Sequence, residues 1–395
     1  MSRKKRDYIL SLIFILLFLL GFGLVMIYST SSYTAALEFD GDGLYYFKKQ
    51  LFAVILGLVM MFVLAIFPYK FYRNLGLIAY IVGLLSLLLI LTPLGYEANG
   101  ARRWISVAGI SLQPAEIAKV AIVIFTASFL AEIKPEARSS WKAIFTVLIP
   151  AGIYCGFLFG VTKNLSSAII VGGMAYFILL LSSDKKRNAL IILFAVALAG
   201  ALVFFLIIKG VGSWGFRGER ILAWLNPEKY ADGKGFQTLQ SLYGIGSGGF
   251  FGKGLGKSIQ KLGFLPFASN DMIFAIICEE LGLFGGLAVI ILFVFLLLRM
   301  KTLTENVRDP FGNMLVVGIF AQIAIQVILN IAVVTNTIPN TGISLPFISY
   351  GGTSVAILLA EMGIVFNVAL NADFSDMKKP MKKKRPENNP NEARG

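Results

Sequence analysis

Long apolar runs separated by short polar connections dominate the chain. Runs near the roughly 20 residues that a helix needs to cross a bilayer occupy 8–29, 51–67, 75–93, 114–130, 143–161, 165–181, 189–208, 272–298, 314–338 and 354–370. They predict an all-α integral membrane protein of about ten transmembrane helices, forming one polytopic domain over 1–372. The first run follows Arg3-Lys4-Lys5-Arg6 and resembles the start of a signal peptide. It is too long for one and lacks a small-x-small cleavage site, so it reads as a retained span.

Composition agrees. Of 395 residues, 57% are hydrophobic and 15% charged, against roughly 45–50% and about 25% in soluble domains. There is no histidine, which removes Ser-His-Asp and Cys-His catalysis, imidazole metal sites and the usual near-neutral proton shuttle. Chemistry must rest on carboxylates, lysines or hydroxyls. Cys155 and Cys278 lie singly inside apolar runs and read as packing residues, not as a disulfide framework or metal site.

The net charge of +14 would suit nucleic acid, but its distribution follows the positive-inside rule. With the N-terminus inside, Lys70 and Arg73, then Lys134, Arg138 and Lys142, then Lys185, Lys186 and Arg187, then Arg299, Lys301 and Arg308 fall on cytoplasmic connections. An even number of spans returns the C-terminus to that side, so both termini are expected in the cytoplasm and no nucleic-acid partner is expected. Residues 373–395 form a basic tail with no apolar face to bury, expected to be disordered.

One connection departs from the rule. Residues 209–270, between helices 7 and 8, form a large extracellular loop rich in glycine. It carries Lys209, Arg217, Arg220, Lys229, Lys234, Lys253, Lys257 and Lys261 against Glu219, Glu228 and Asp232. Long loops partly escape the rule, and a solvated loop is the plain reading. An outward basic loop also suits an anionic ligand such as a lipid phosphate.

Charges within the apolar runs are the first candidates for function, because they are costly at membrane depth. They are Glu116, Lys119, Glu279, Glu280 and Glu361. Gln113, Glu116 and Lys119 share a helical stripe on which the last two can pair, so a neutralised ion pair competes with a functional role. At 100° per residue Asp271, Ala275, Glu279, Gly282 and Gly286 share one face and Glu280 another. Asp271, where the glycine-rich loop enters the next helix, can accept a proton or serve as an N-cap.

The run Gly246–Ser258 fails the Walker pattern, and its dinucleotide-like match has no βαβ context; a loop re-entering the membrane surface is the better reading. In the outer loop Asn99-Gly-Ala-Arg-Arg-Trp-Ile105, Trp104 fits an interfacial belt, while Arg102 and Arg103 suit phosphate. The Pro/Gly-broken connection 338–354 should line a cavity.

In order along nearly the whole chain, Asn99-Gly-Ala-Arg-Arg-Trp-Ile, Gln113-Pro-Ala-Glu-Ile-Ala-Lys, Gly246-Ser-Gly-Gly with Gly252-Lys-Gly-Leu-Gly, Gln260-Lys-Leu-Gly-Phe-Leu-Pro, Asn270-Asp-Met-Ile-Phe-Ala, Glu279-Glu-Leu-Gly and Thr341-Gly-Ile-Ser-Leu-Pro-Phe-Ile-Ser-Tyr-Gly-Gly-Thr-Ser resemble the SEDS family. Its members FtsW, RodA and SpoVE are multi-spanning peptidoglycan glycosyltransferases. Asn330-Ile-Ala-Val-Val-Thr and Thr341-Gly-Ile-Ser-Leu-Pro lean towards the FtsW and SpoVE type.

The resemblance implies lipid II as substrate at the outer face of the bacterial cytoplasmic membrane. It implies a growing undecaprenyl-pyrophosphate-linked glycan as product, and a class B penicillin-binding protein, a transpeptidase, as partner beside other division or elongation proteins. It places the family's essential aspartate on Asp271 and its buried lysine on Lys119, expected to face Asp271 across the cavity. Candidate substrate-binding residues are Lys119, Glu116, Arg102, Arg103, Trp104, Arg217, Arg220, Lys253, Gln260, Glu279 and Ser349. Two departures stand out: Thr162-Lys163-Asn164-Leu165-Ser166-Ser167 lacks the family's Gln-Pro-Asp acid, and Phe267-Ala-Ser-Asn270 lacks its charged or histidine-bearing approach.

The mechanism so implied has Asp271 as general base on the acceptor's GlcNAc 4-hydroxyl, with inversion at the donor. The diphosphate leaving group would be stabilised by some of Arg102, Arg103, Arg217, Arg220 and Lys119, with a divalent cation (Mg2+ or Mn2+) admitted as an auxiliary and no other cofactor. A flippase or transporter of the lipid-linked precursor is the rival and would place its functional acids near the midplane. A scaffold that only recruits an enzyme would leave the intramembrane charges without a purpose.

Overall fold

A computed structural model describes residues 3–98, 101–107, 110–209, 215–233 and 235–374. Ten helices among them are long and apolar enough to cross a membrane. They are α1 (Arg3–Glu38), α2 (Tyr45–Ile66), the span Tyr69–Leu91 made of α3 (Gly76–Leu88) between 3-10 turns at Tyr69–Leu75 and Leu89–Leu91, α4 (Pro114–Glu132), α5 (Trp141–Gly160), α6 (Leu165–Ser182), α7 (Arg187–Ile208), α10 (Ile273–Asn306), α11 (Pro310–Val334) and α12 (Gly352–Asn371), with α8 (Gly215–Leu225) and α9 (Phe236–Gly248) in the long connection. Local signals set several starts. Asp309 caps α11 by accepting from Gly312 N at 2.9 Å, ahead of Pro310 at its first position. Ser140 and Asn164 cap α5 and α6 in the same way.

α4, α11 and α12 form the centre and are mostly buried, whereas α7 is almost wholly exposed to the surroundings. All-round apolar sequence is what both positions demand, since lipid and protein interior are equally apolar.

The fold departs from the sequence reading in three places. The connection around Arg102 is a small antiparallel sheet, β1 (Gly95–Ala98), β2 (Ala101–Val107) and β3 (Ile110–Leu112). Its register pairs Tyr96 with Trp104 and Ile105 with Leu112, a pattern hidden by its shortness. Within 209–270, where the sequence shows only a glycine-rich loop, α8 and α9 form and the glycine segment packs against α10. Asp373 and Phe374, assigned to the tail, still belong to the bundle: Asp373 N donates to Asn306 O at 3.2 Å, and the Phe374 ring lies 4.7 Å from that of Tyr8. The remainder of the tail, 375–395, lies outside the described residues.

The glycine segment repairs a break in α10. Gly282 adopts φ +68 inside that helix, freeing backbone groups on both sides. Lys253 N and Gly254 N donate to the carbonyls of Glu279 and Glu280, while Leu283 N and Phe284 N donate to those of Gly249 and Phe250. The approach requires glycine: a Cβ on Gly252 would stand 2.2 Å from Glu280 O. Four backbone groups of α10 at the break, two carbonyls and two N–H groups, thus find protein partners.

Candidate active site

Asp271 lies in the turn before α10, whose N-cap is Met272 with no side-chain cap. The capping role is therefore not the one it takes. Nor do Asp271, Glu279, Gly282 and Gly286 share a helical face, because Asp271 precedes the helix and Gly282 breaks it. Phe267, at φ +57, begins the turn in a backbone conformation that costs an aromatic residue strain. Its carbonyl accepts from Asn270 N at 2.9 Å. Tyr350 N donates to Ser269 O at 2.9 Å, and Asn330 Nδ2 donates to Asp271 O at 2.8 Å.

The residue as a whole is half-buried, but its Oδ1 is shut off from solvent without a hydrogen-bond partner. Burial pushes the carboxyl up to about 7; its own backbone N–H and the Arg220 guanidinium pull the other way. The glycine at 342 matters here, since a Cβ there would stand 3.6 Å from Asp271 Oδ2.

One arginine stands beside this acid and a second beside the first. Arg220 on α8 donates to Asn340 O at 3.2 Å and interacts with Asp271. Arg103 on β2 donates to Thr162 O at 3.1 Å and Lys163 O at 2.8 Å, and feels the Arg220 charge. Burial lowers both guanidinium pKa values; Arg220 lowers that of Arg103 further, and Asp271 partly offsets the effect on Arg220. Two like charges held this close favour an anion between or beside them.

Next to them opens a cavity of about 390 Å³ lined by Arg220, Trp224, Phe236, Gln237, Phe267 and Asn340, among others. Its walls are fixed by Trp224 Nε1 donating to Asn336 O (2.9 Å), Asn340 Nδ2 to Gln237 Oε1 (2.7 Å) and Gln237 Nε2 to Pro266 O (3.2 Å). The connection 338–354 does contribute to this cavity, through Asn340.

Other candidates lie elsewhere. Lys119 pairs with Glu116 at 2.7 Å, both buried, and Glu361 of α12 interacts with the two of them and with Gln322 of α11. The charge acting on Asp271 is that of Arg220, so the expectation that Lys119 faces Asp271 gives way to a separate buried seam between α4, α11 and α12. Glu279 is enclosed by Lys253 (2.6 Å), the Ser258 hydroxyl and the backbone N–H groups of Ile259 and Gln260. Beside it Glu280 accepts from Lys261 (2.8 Å) and Ser29 (2.8 Å). Lys253 and Glu279 therefore tie the glycine segment to α10, and Gln260 joins them through its backbone N–H.

Arg102 turns back to Thr92 O and Gly95 O, and half-buried Trp104 stays in the hairpin. Ser349 accepts from Leu345 N at 2.7 Å. Arg217's side chain lies outside the described residues. Sequence reasoning missed Trp224, Gln237 and Asn340, whose side chains meet only through tertiary packing. No group of three or more His, Cys, Asp or Glu side chains suited to a metal ion occurs among the described residues. A Mg2+ at this site would find one protein carboxylate, Asp271, and would take its other ligands from waters and substrate phosphates.

Comparison with known proteins gives a consistent result. The family model FTSW_RODA_SPOVE, described as "Cell cycle protein", matches residues 10–373. The chain is 36% identical to the "Probable peptidoglycan glycosyltransferase FtsW" of Bacillus subtilis (strain 168), over 96% of this chain and 94% of that one. It is 37% identical to "Stage V sporulation protein E" of the same organism, over 93% and 99%. Among solved structures it is similar, at TM-score 0.74 and 26% identity over 91% of this chain and 97% of the other, to a chain described under "Structural coordination of polymerization and crosslinking by a peptidoglycan synthase complex". Thermus thermophilus RodA shares the fold at TM-score 0.65, with 24% identity over 91% and 96%.

Proposed function

This chain belongs to the FtsW/RodA/SpoVE family, a multi-pass protein of the cytoplasmic membrane, and from that premise we propose that it polymerises lipid II into glycan strands with Asp271 as general base. The observation that carries the reading is a single sheltered carboxylate, pushed up to about 7, beside the guanidinium of Arg220 at a cavity of about 390 Å³. A base matched to neutral pH is what proton abstraction from a sugar hydroxyl needs in a chain without histidine.

The reaction is a single displacement. The acceptor's GlcNAc 4-hydroxyl gives its proton to Asp271 as its oxygen attacks the donor's anomeric carbon from the face opposite the diphosphate. The anomeric C–O bond to phosphate breaks with inversion, and undecaprenyl pyrophosphate leaves with the electron pair. Arg220 and Arg103 stabilise the charge that accumulates on it. Trp224, Asn340 and Gln237, which also line the cavity, each donate to backbone or to one another, so they shape the site instead of carrying charge.

The partner we assign is a class B penicillin-binding protein, supported by similarity to a chain from a complex that coordinates polymerization and crosslinking. The process is division or cell-shape or spore-wall synthesis, supported by similarity to FtsW and stage V sporulation protein E. Residues 209–270 are taken to face outward, where the lipid-linked substrate is presented.

Purified with its transpeptidase and given lipid II, the chain should make glycan, and Asp271→Asn should abolish it while the protein stays folded. Undiminished glycan in that variant would overturn the assignment. The same preparation in liposomes should not scramble lipid II. The flippase reading has one specific observation behind it, the buried Glu116–Lys119–Glu361 seam, and scrambling lost on altering that seam would favour it.

A further inference from the structure

Asn330 of α11 is fully buried, and its Nδ2 donates to Asp271 O at 2.8 Å and to Ile343 O at 2.6 Å. The two carbonyls belong to segments far apart in the chain, the turn before α10 and the irregular connection before α12. Neither segment has a helical or sheet ladder at that point, so side chains must hold its geometry. An amide supplies two N–H donors, and Asn330 commits one to each segment. Its Oδ1 is buried without a partner, so these two donations are what the side chain contributes.

The held segments are the two that enclose the carboxylate. Asp271 Oδ2 faces Gly342, one residue before Ile343, and the connection is anchored on its far side by the Ser166 hydroxyl donating to Thr341 O. Arg220 is the charged group facing Asp271 from α8, with Arg103 behind it on β2. Asn330 itself carries no charge and lies behind the turn, at its backbone.

We propose that Asn330 is a positioning residue for the transfer reaction: by clamping the Asp271 turn to the Thr341–Ile343 segment, it fixes the carboxylate against Gly342 and keeps water from it, without touching substrate. The inference rests on reading Asp271 as the base. Displacing a reacting group by about 1 Å can cost about 10²-fold in rate, and a clamp acts on the base and not on substrate affinity.

The test uses the full chain with its transpeptidase partner, lipid II polymerisation read as kcat and KM over a range of pH, and a melting curve for each variant. Asn330→Leu, close in size but without donors, should lower kcat by about 10²-fold with KM within about twofold. Its acid limb should move to lower pH as water reaches the carboxylate and relieves its desolvation. Should Asn330→Leu not fold, Asn330→Ser, which admits water to the two carbonyls, carries the same expectation. A folded variant with unchanged kcat, a raised KM alone, or an unmoved acid limb overturns the proposal. If both variants fail to fold, Asn330 determines the fold and the proposal also fails. Asp271→Asn separates the two ideas: glycan made by that variant refutes the base, whereas an inactive Asp271→Asn with an unimpaired Asn330→Leu refutes only the clamp.

Discussion

Asp271 carries two opposing demands. It must be ionised to accept a proton, yet burial raises its carboxyl to about 7. Polymerisation should therefore climb by about tenfold per pH unit below that value and level off above it, which a pH–rate profile on purified protein will read. Arg220 opposes the rise, so Arg220→Met should move the acid limb to higher pH as well as slow the reaction. Stability follows the opposite sign. A carboxyl that binds its proton more tightly when folded contributes stability that is full below the unfolded value near 4 and is lost as pH rises through about 7. Asp271→Asn should flatten that loss, visible as a melting temperature that falls less between acid and alkaline buffer than in the unaltered chain.

At the scale of elements, the break in α10 and the glycine segment that fills it form one unit. Gly282→Ala would place a Cβ 2.4 Å from Gly252 N at a φ of +68, and such strain alone costs about 1–3 kcal/mol; its melting temperature in detergent should drop and activity with it. The same unit is pinned by the buried pair of Lys261 and Glu280 at 2.8 Å. Removing one partner of a buried pair costs about 3–5 kcal/mol, whereas removing both can be close to neutral. Lys261→Met should thus melt well below the unaltered protein and Lys261→Met with Glu280→Gln should recover most of the difference, an outcome a double-mutant cycle measures directly.

Over the whole molecule, the charge map makes a topological statement. Lys185 and Lys229 are both exposed and are expected on opposite faces of the membrane. With Cys155 and Cys278 replaced, Lys229→Cys should react with an impermeant thiol reagent added outside intact cells, and Lys185→Cys only after the membrane is opened. The interior tells a second story: α4, α11 and α12 enclose Glu116, Lys119 and Glu361, while α7 touches little of the protein. The central three helices are held by packing and buried polar contacts, so the seam belongs to the architecture that supports the site.

Much of this was legible in the chain itself. A run of apolar residues long enough to cross a bilayer can hardly do anything else, which is why all ten spans read correctly from composition and spacing. The pairing of Glu116 with Lys119 followed from their separation by three residues. Asp271 stood out as an acid at a helix entrance in a chain without histidine. Helix periodicity could not say that Asp271 sits outside the helix, that Gly282 breaks it, or that Lys119 belongs to another centre. Those facts depend on which backbone groups find partners across the chain: Arg220 meets Asp271 only because α8 folds over Asn340, and Asn330 reaches two carbonyls from segments brought together by packing. Sequence determined what must be buried in lipid; tertiary structure decided which buried polar groups would face one another, because that choice is made by distance in space and not by spacing along the chain.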